Sequence, residues 1–261
     1  MKEELRDEYR RKAESPGLGP VLDAGDGDGR KNRYIDFVHR RALRRFLPLL
    51  GPRAADLGCG IGRLTAFVAE DRWAVGLDGS PDLLAIARTR TVSPLVRADM
   101  TALPLASGSL TGAVMAFVSM HFDDDTAARA FAEVARILQP GGHLVFVEHF
   151  APGGEDREYR GVLDRARGSV ERLMSAAGLT PVAFVPLKKS PSRVVHWIRG
   201  NRLPESLWGF GAWLDARVCA RNPDAADYVE CLLVARKPGG ITVDYEPTGL
   251  TSLFVPRRWL R

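Results

Sequence analysis

Residues 54–58 (Ala-Ala-Asp-Leu-Gly) form a short apolar run that breaks into glycines at positions 58, 60 and 62 and then turns amphipathic. Glycines after a strand let backbone approach a ligand closely, and the helix that follows offers free amides and the positive end of its dipole. Four more apolar runs, at 73–78, 95–98, 110–118 and 143–149, recur with a helical or mixed stretch before each. Strands that alternate with helices need crossover connections and pair in parallel. The pattern therefore predicts an α/β fold, a doubly wound sheet covered on both faces.

Helical patterns are expected over 2–15, 30–50, 125–138 and 161–177, with two late strands at 181–187 and 228–237. With 261 residues, 45% hydrophobic and 26% charged, the chain can bury one substantial core with additions. Four regions follow: an N-terminal helical segment, 1–50, covering the active site; a core, 51–187 with 228–237; an inserted substrate lid, 188–227; and a C-terminal tail, 238–261. The insertion carries Trp197, Trp208 and Trp213, large apolar surface that either encloses substrate or packs the insertion onto the body. Three scattered cysteines, Cys59, Cys219 and Cys231, make neither a disulfide framework nor a metal cluster. A charged amino terminus and the absence of a long apolar run point to a cytoplasmic protein with no membrane partner.

The glycine loop narrows the ligand. A dinucleotide fingerprint spaces its last two glycines three apart, whereas Gly58, Gly60 and Gly62 are evenly two apart. Asp56 lies just before the loop, where a carboxylate repels pyrophosphate and attracts a cationic amino group. Asp78 closes the second strand, placed to accept from both hydroxyls of a ribose. Asp99, after the third strand, can accept from an adenine amino group. Together the three carboxylates suggest an adenosine carrying a cationic tail.

These segments resemble the class I S-adenosylmethionine-dependent methyltransferases, of the small-molecule, natural-product type. "DLGCGIG" is similar to the family's first motif, "VGLDGSPDLLAIAR" to its second, "ADMTALPLASGSLTGAVMAFVSMHF" to the adenine-contact loop and fourth strand, and "EVARILQPGGHLVFVEH" to the segment ending in the fifth strand. The resemblance implies a Rossmann-like sheet of seven strands in order 3-2-1-4-5-7-6 with the last strand antiparallel. It also implies S-adenosyl-L-methionine as cofactor. Asp56, Gly58, Cys59, Gly60 and Gly62 of the first motif would hold it, with Asp78 and Gly79 of the second and Asp99, Met100 and Phe117 beyond.

The implied reaction moves a methyl group to a small-molecule acceptor, and needs alignment and exclusion of water more than it needs a metal. No metal site is expected. His121, just past the fourth strand at the carboxyl edge of the sheet, is the candidate catalytic base; a wall of the acceptor pocket is the other reading. Tyr34, Phe122, His149 and Trp197 are the candidate substrate contacts. The basic stretch "RKNRYIDFVHRRALRRF" interleaves arginines with aromatics but comes with no RNA-binding appendage. A peptide or RNA acceptor, or a non-methylating use of the fold, stands as the alternative. The acceptor's identity and the oligomeric state are not encoded in these motifs.

Overall fold

The computed structural model describes residues 3–159, 162–221 and 226–239, so nearly all of the expected tail and residues 222–225 of the insertion lie outside it. The chain opens with α1 (Glu3–Ala13) and α2 (Arg30–Arg44). β1 (Arg53–Leu57), α3 (Arg63–Val68), β2 (Trp73–Asp78), α4 (Pro81–Ala87), β3 (Leu95–Arg97) and β4 (Leu110–Ala116) follow. Next come α5 (Asp124–Ile137), β5 (Leu138–Phe150), a hairpin of β6 (Arg157–Tyr159) and β7 (Val162–Asp164), and α6 (Arg167–Ala176). β8 (Thr180–Ser190), α7 (Arg193–Arg199), α8 (Trp208–Arg221) and β9 (Tyr228–Arg236) complete the described elements.

The main sheet has seven strands in the order β3-β2-β1-β4-β5-β9-β8. β9 runs antiparallel to both of its neighbours, and the other pairings are parallel. This is the expected topology. Alternation along the strands divides the core between two faces. Ala55, Leu57, Ala113, Met115, Leu144 and Phe146 pack towards α5 and α6. Ala54, Val114, Val145, Val147, Leu232 and Val234 pack on the face covered by α2, α7 and α8.

Two local expectations are corrected. The helix expected over 30–50 ends at Arg44, and Leu47–Leu50 forms a separate 3-10 turn containing Pro48, which has no amide to continue an α-helix. The helix expected from 161 begins only at Arg167, because Val162–Asp164 belongs to the hairpin. Ala166, extended before the helix, donates its N–H to Asp156 at 2.8 Å, and the buried guanidinium of Arg165 beside it bonds the carbonyls of Ser119 and Phe122 and the Asp124 carboxylate at 2.7–2.9 Å.

α7 packs on α2, and α8 packs on β8 and α2. Val194, Ile198, Leu203, Trp208 and Ala212 fill the same apolar cluster as Tyr34 and Val38. One apolar face of the insertion thus packs on the body while Trp197, Leu207, Phe210 and Val218 stay exposed, and its two helices do not line the cavity described below.

Candidate active site

At the carboxyl edge of the parallel strands, where β1 and β4 diverge in connectivity, lies a cavity of about 730 Å³. Open α/β sheets place their ligands at this switch point. Gly58 leaves β1 with φ +71°, and a Cβ there would sit 2.3 Å from Cγ2 of Val118. Only glycine lets the loop pass this close to the residues after β4. Gly60, at φ +52°, turns the loop so that its N–H donates to Oδ2 of Asp78 at 2.8 Å.

Asp78 accepts a second backbone N–H, from Ser80, through Oδ1 at 2.8 Å. Burial raises its pKa above the ordinary value. Both oxygens keep acceptor capacity towards the cavity, as a diol requires. Asp56 is almost wholly buried, accepts from the Thr65 hydroxyl at 2.6 Å, and has its pKa pushed up to about 6 by burial. A cation entering beside it restores the charged form. Asp99 closes the third side, its Oδ1 accepting from the amide and hydroxyl of Thr101 at 2.8 and 2.7 Å, bonds that lower its pKa.

The structure brings these residues together with Cys59, Gly79, Met100, Phe117, His121, Phe122 and His149 around the one cavity. Burial pushes the Cys59 thiol up and keeps it neutral. Phe117 adopts φ 59°, an uncommon conformation for a bulky residue, and its ring meets His39 and His149 with centroids 5.1 Å away in each case. Non-glycine residues in this region tend to cluster at functional sites.

Three candidates stand elsewhere. Gly62, at φ +76°, is the residue before α3, with Ala87 3.1 Å from where its Cβ would be; it shapes the loop without lining the cavity. Tyr34 is fully buried, donates to Oδ2 of Asp215 at 2.9 Å and packs edge-on against Trp208. It ties α2 to α8. Trp197 is partly exposed on α7, away from the cavity. Both aromatics were expected at the acceptor; Tyr34 is taken up in the packing between α2 and the insertion, and neither lines this cavity.

Part of the N-terminal segment reaches the cavity. Tyr9 and Lys12 of α1, with Val21 and Leu22 beyond it, line the cavity. The Tyr9 hydroxyl lies 3.0 Å from Nε2 of His121. Burial raises the Tyr9 pKa and keeps the phenol protonated, so it donates and the imidazole accepts. Burial, aided by the Lys12 charge, lowers the His121 pKa to about 4, so the ring is neutral at pH 7. Neither Tyr9 nor Lys12 carries a local motif, since sequence does not tell where α1 folds back.

Behind the wall, Glu148 accepts from the Ser119 hydroxyl and the Met120 amide at 3.2 and 3.3 Å. Burial pushes its pKa up to about 8 from an ordinary value of 4.5. The folded protein therefore binds a proton there that the unfolded chain releases, and this contribution to stability, full below the unfolded value, is lost as pH rises through about 8. Glu148→Gln is expected to melt above the wild type at pH 8.5, with the gap closing towards pH 5 (roughly the unfolded range of a carboxyl). Melting curves showing a gap independent of pH would contradict this account.

The fold and the cavity define a class: a doubly wound sheet of this strand order, with a carboxylate-ringed glycine loop at its switch point, is a class I S-adenosylmethionine-dependent methyltransferase. Comparison with known proteins agrees. The family described as a methyltransferase domain matches residues 55–146. A demethylmenaquinone methyltransferase of Corynebacterium efficiens is 31% identical over 220 residues, covering 80% of this chain and 84% of that protein. Two solved structures share the fold. The [4+2]-cyclase SpnF has a TM-score of 0.58 at 24% identity, covering 78% of this chain and 82% of that one. The geranyl diphosphate C-methyltransferase of Streptomyces coelicolor A3(2), solved with S-adenosyl-L-homocysteine, has a TM-score of 0.58 at 18% identity, covering 79% and 82%. The chain belongs to the S-adenosylmethionine-dependent methyltransferase family; it is an enzyme, and S-adenosylmethionine is its cofactor. No helix among the described residues is long and apolar enough to cross a membrane.

Proposed function

We propose that the enzyme methylates an O or N atom of a small-molecule acceptor, in the cytoplasm. The observation that carries this reading is the continuity of the cavity: the glycine loop and Asp78 share it with His121, Phe122 and His149. At about 730 Å³ it falls in the range of pockets that enclose small ligands. S-adenosylmethionine, when bound, supplies an electrophilic methyl group. Asp56, Asp78 and Asp99 would hold its amino group, ribose and adenine, as their positions around the loop suit. Tyr9, Lys12, Val21 and Leu22 line the site, and with ligand bound they would help exclude water, which favours transfer by proximity and desolvation.

His121 is neutral at pH 7, and once an acceptor's O–H or N–H displaces the Tyr9 hydroxyl from its Nε2 the ring can take that proton as the atom is methylated. The relative's name, demethylmenaquinone methyltransferase, supports a ring-bearing small molecule over a peptide or RNA. Release of S-adenosylhomocysteine, followed with panels of phenols, amines, short peptides and RNA, tests the reading. Turnover is expected with phenols or amines alone. Turnover confined to RNA or peptide would overturn the acceptor class.

A further inference from the structure

His149, Glu230 and Lys188 stand side by side across three adjacent strands. β5 and β9 pair His149 with Glu230, and β8 and β9 pair Lys188 with Glu230. Directly opposed residues share a face of the sheet. A bulge between Pro186 and Lys188 keeps Lys188 on the face where Val185, Leu232 and Val147 meet α2. Lower along these strands that face is apolar. At the carboxyl edge of β5 it becomes an imidazole, a carboxylate and an ammonium, and all three line the cavity.

The geometry of the row is fixed from behind. Nζ of Lys188 is 3.0 Å from Oε2 of Glu230, with side chains only 5% and 2% exposed. Oε1 of Glu230 lies 2.7 Å from Nε2 of the buried His39. Arg63 donates to Nδ1 of His39 at 3.2 Å, so Nε2 carries the hydrogen and donates to Glu230. Arg63 is in turn paired with Asp36 at 2.9 Å. Burial works against the Glu230 charge, yet Lys188 and His39 hold its carboxyl well below the ordinary value. His149 stacks on Tyr228 with ring centroids 3.9 Å apart and meets Phe117 edge-on.

A buried ion pair is a poor source of stability, since an apolar pair of equal volume often serves as well or better. Facing a cavity, it is a recognition element. We propose that the Lys188–Glu230 pair, with His149, forms an acceptor subsite that takes a neutral hydroxyl carried on a flat ring, as in a phenol or hydroquinone. A hydroxyl donates to the carboxylate and accepts from the ammonium at once. An anionic group would face Glu230 unfavourably, and a cationic one would face Lys188. The stacked His149 and Tyr228 rings and the edge of Phe117 supply the flat wall such a ring needs. β8 lies at the opposite end of the sheet from β3, so the row extends away from Asp78 and Asp99. The subsite deepens, and rests on, the reading of the cavity as a methyl-acceptor site.

Calorimetric titration of the enzyme with naphthol, naphthol methyl ether and naphthoate, each with and without saturating S-adenosylhomocysteine, tests the assignment. Naphthol is expected to bind about tenfold more tightly than either analogue, the scale of a hydrogen bond to a charged group. The double variant Lys188→Met with Glu230→Gln, which removes both charges together and avoids a lone buried charge, is expected to bring the three probes within about twofold of one another. Its affinity for S-adenosylhomocysteine should be unchanged, which also shows that the variant is folded. Equal binding of naphthol and its methyl ether, tightest binding of naphthoate, no binding of any probe, or an undiminished naphthol preference in the double variant would each overturn the subsite. Failure of S-adenosylhomocysteine to bind would count against the methyl-transfer reading alone, because the probe preference is read in both its presence and its absence.

Discussion

Asp78→Ala weakens S-adenosylmethionine binding by about 2–3 kcal/mol, the value of hydrogen bonds to a charged group, which calorimetry reads as a rise in Kd of roughly 30- to 150-fold. The carboxylate acts twice. It faces the cavity with the capacity to accept from a ribose, and it anchors the loop by accepting from the amides of Gly60 and Ser80. Asp78→Asn keeps the side-chain oxygen for one of those amides but loses the charge, so its deficit should fall between wild type and alanine. The fold should persist in both, because the strand core around β2 is apolar and complete without the carboxylate: Val75 and Leu77 are buried. Affinity of Asp78→Ala equal to that of the wild type would remove the ribose assignment.

His121→Gln lowers turnover by about 10²- to 10⁴-fold, the usual contribution of a general base, with little change in cofactor affinity. Glutamine keeps volume and can still accept from the Tyr9 hydroxyl that now lies 3.0 Å from Nε2. What it lacks is basicity. The His121 pKa, lowered to about 4 by burial and Lys12, sets the sign of the pH profile: the imidazole is a competent base above that value and protonated below it. Turnover of the wild type should therefore hold through pH 5–6, where an ordinary histidine begins to protonate (roughly 6.5), and fall only near pH 4. A loss of about tenfold or less in His121→Gln, with the acidic limb unchanged, would leave the ring as a wall and assign the rate to proximity.

The sheet was legible because its signal is local. Five apolar runs separated by helical stretches, and two later ones, carry their own period, and the strand order follows from the family's motifs. The lining of the cavity around the glycine loop was legible for the same reason: Asp56, Asp78 and Asp99 sit at fixed offsets from strands, and topology brings strand ends to one edge. Gly62 shares that motif but serves the turn into α3, a distinction that depends on where Ala87 packs.

The part of the cavity beyond the glycine loop was less legible, because its residues meet only through tertiary packing. Tyr34 and Trp197 looked like pocket aromatics, yet an aromatic in an amphipathic helix serves whichever surface the helix covers, and α2 covers the sheet and the insertion. Tyr9 reaches His121 across 112 positions of sequence. Glu230 did leave a trace: a carboxylate between Val229 and the apolar run 231–235 of the last strand is the mark of a buried polar site, whereas Lys188, beside Lys189, left none. The hairpin of β6 and β7 left none. Arg165 directly after it finds its partners on the far side of β5 in sequence, which no local pattern reveals.

A crystal structure of the enzyme with S-adenosylhomocysteine tests the central claim most directly. The account predicts the ribose hydroxyls on Asp78, the amino group beside Asp56, the adenine at Asp99 and Met100, and the sulfur facing the space bounded by His121, Phe117 and His149. Density for the ligand outside the glycine loop, or a sulfur turned away from His121 with no room left beside it for an acceptor, would contradict it.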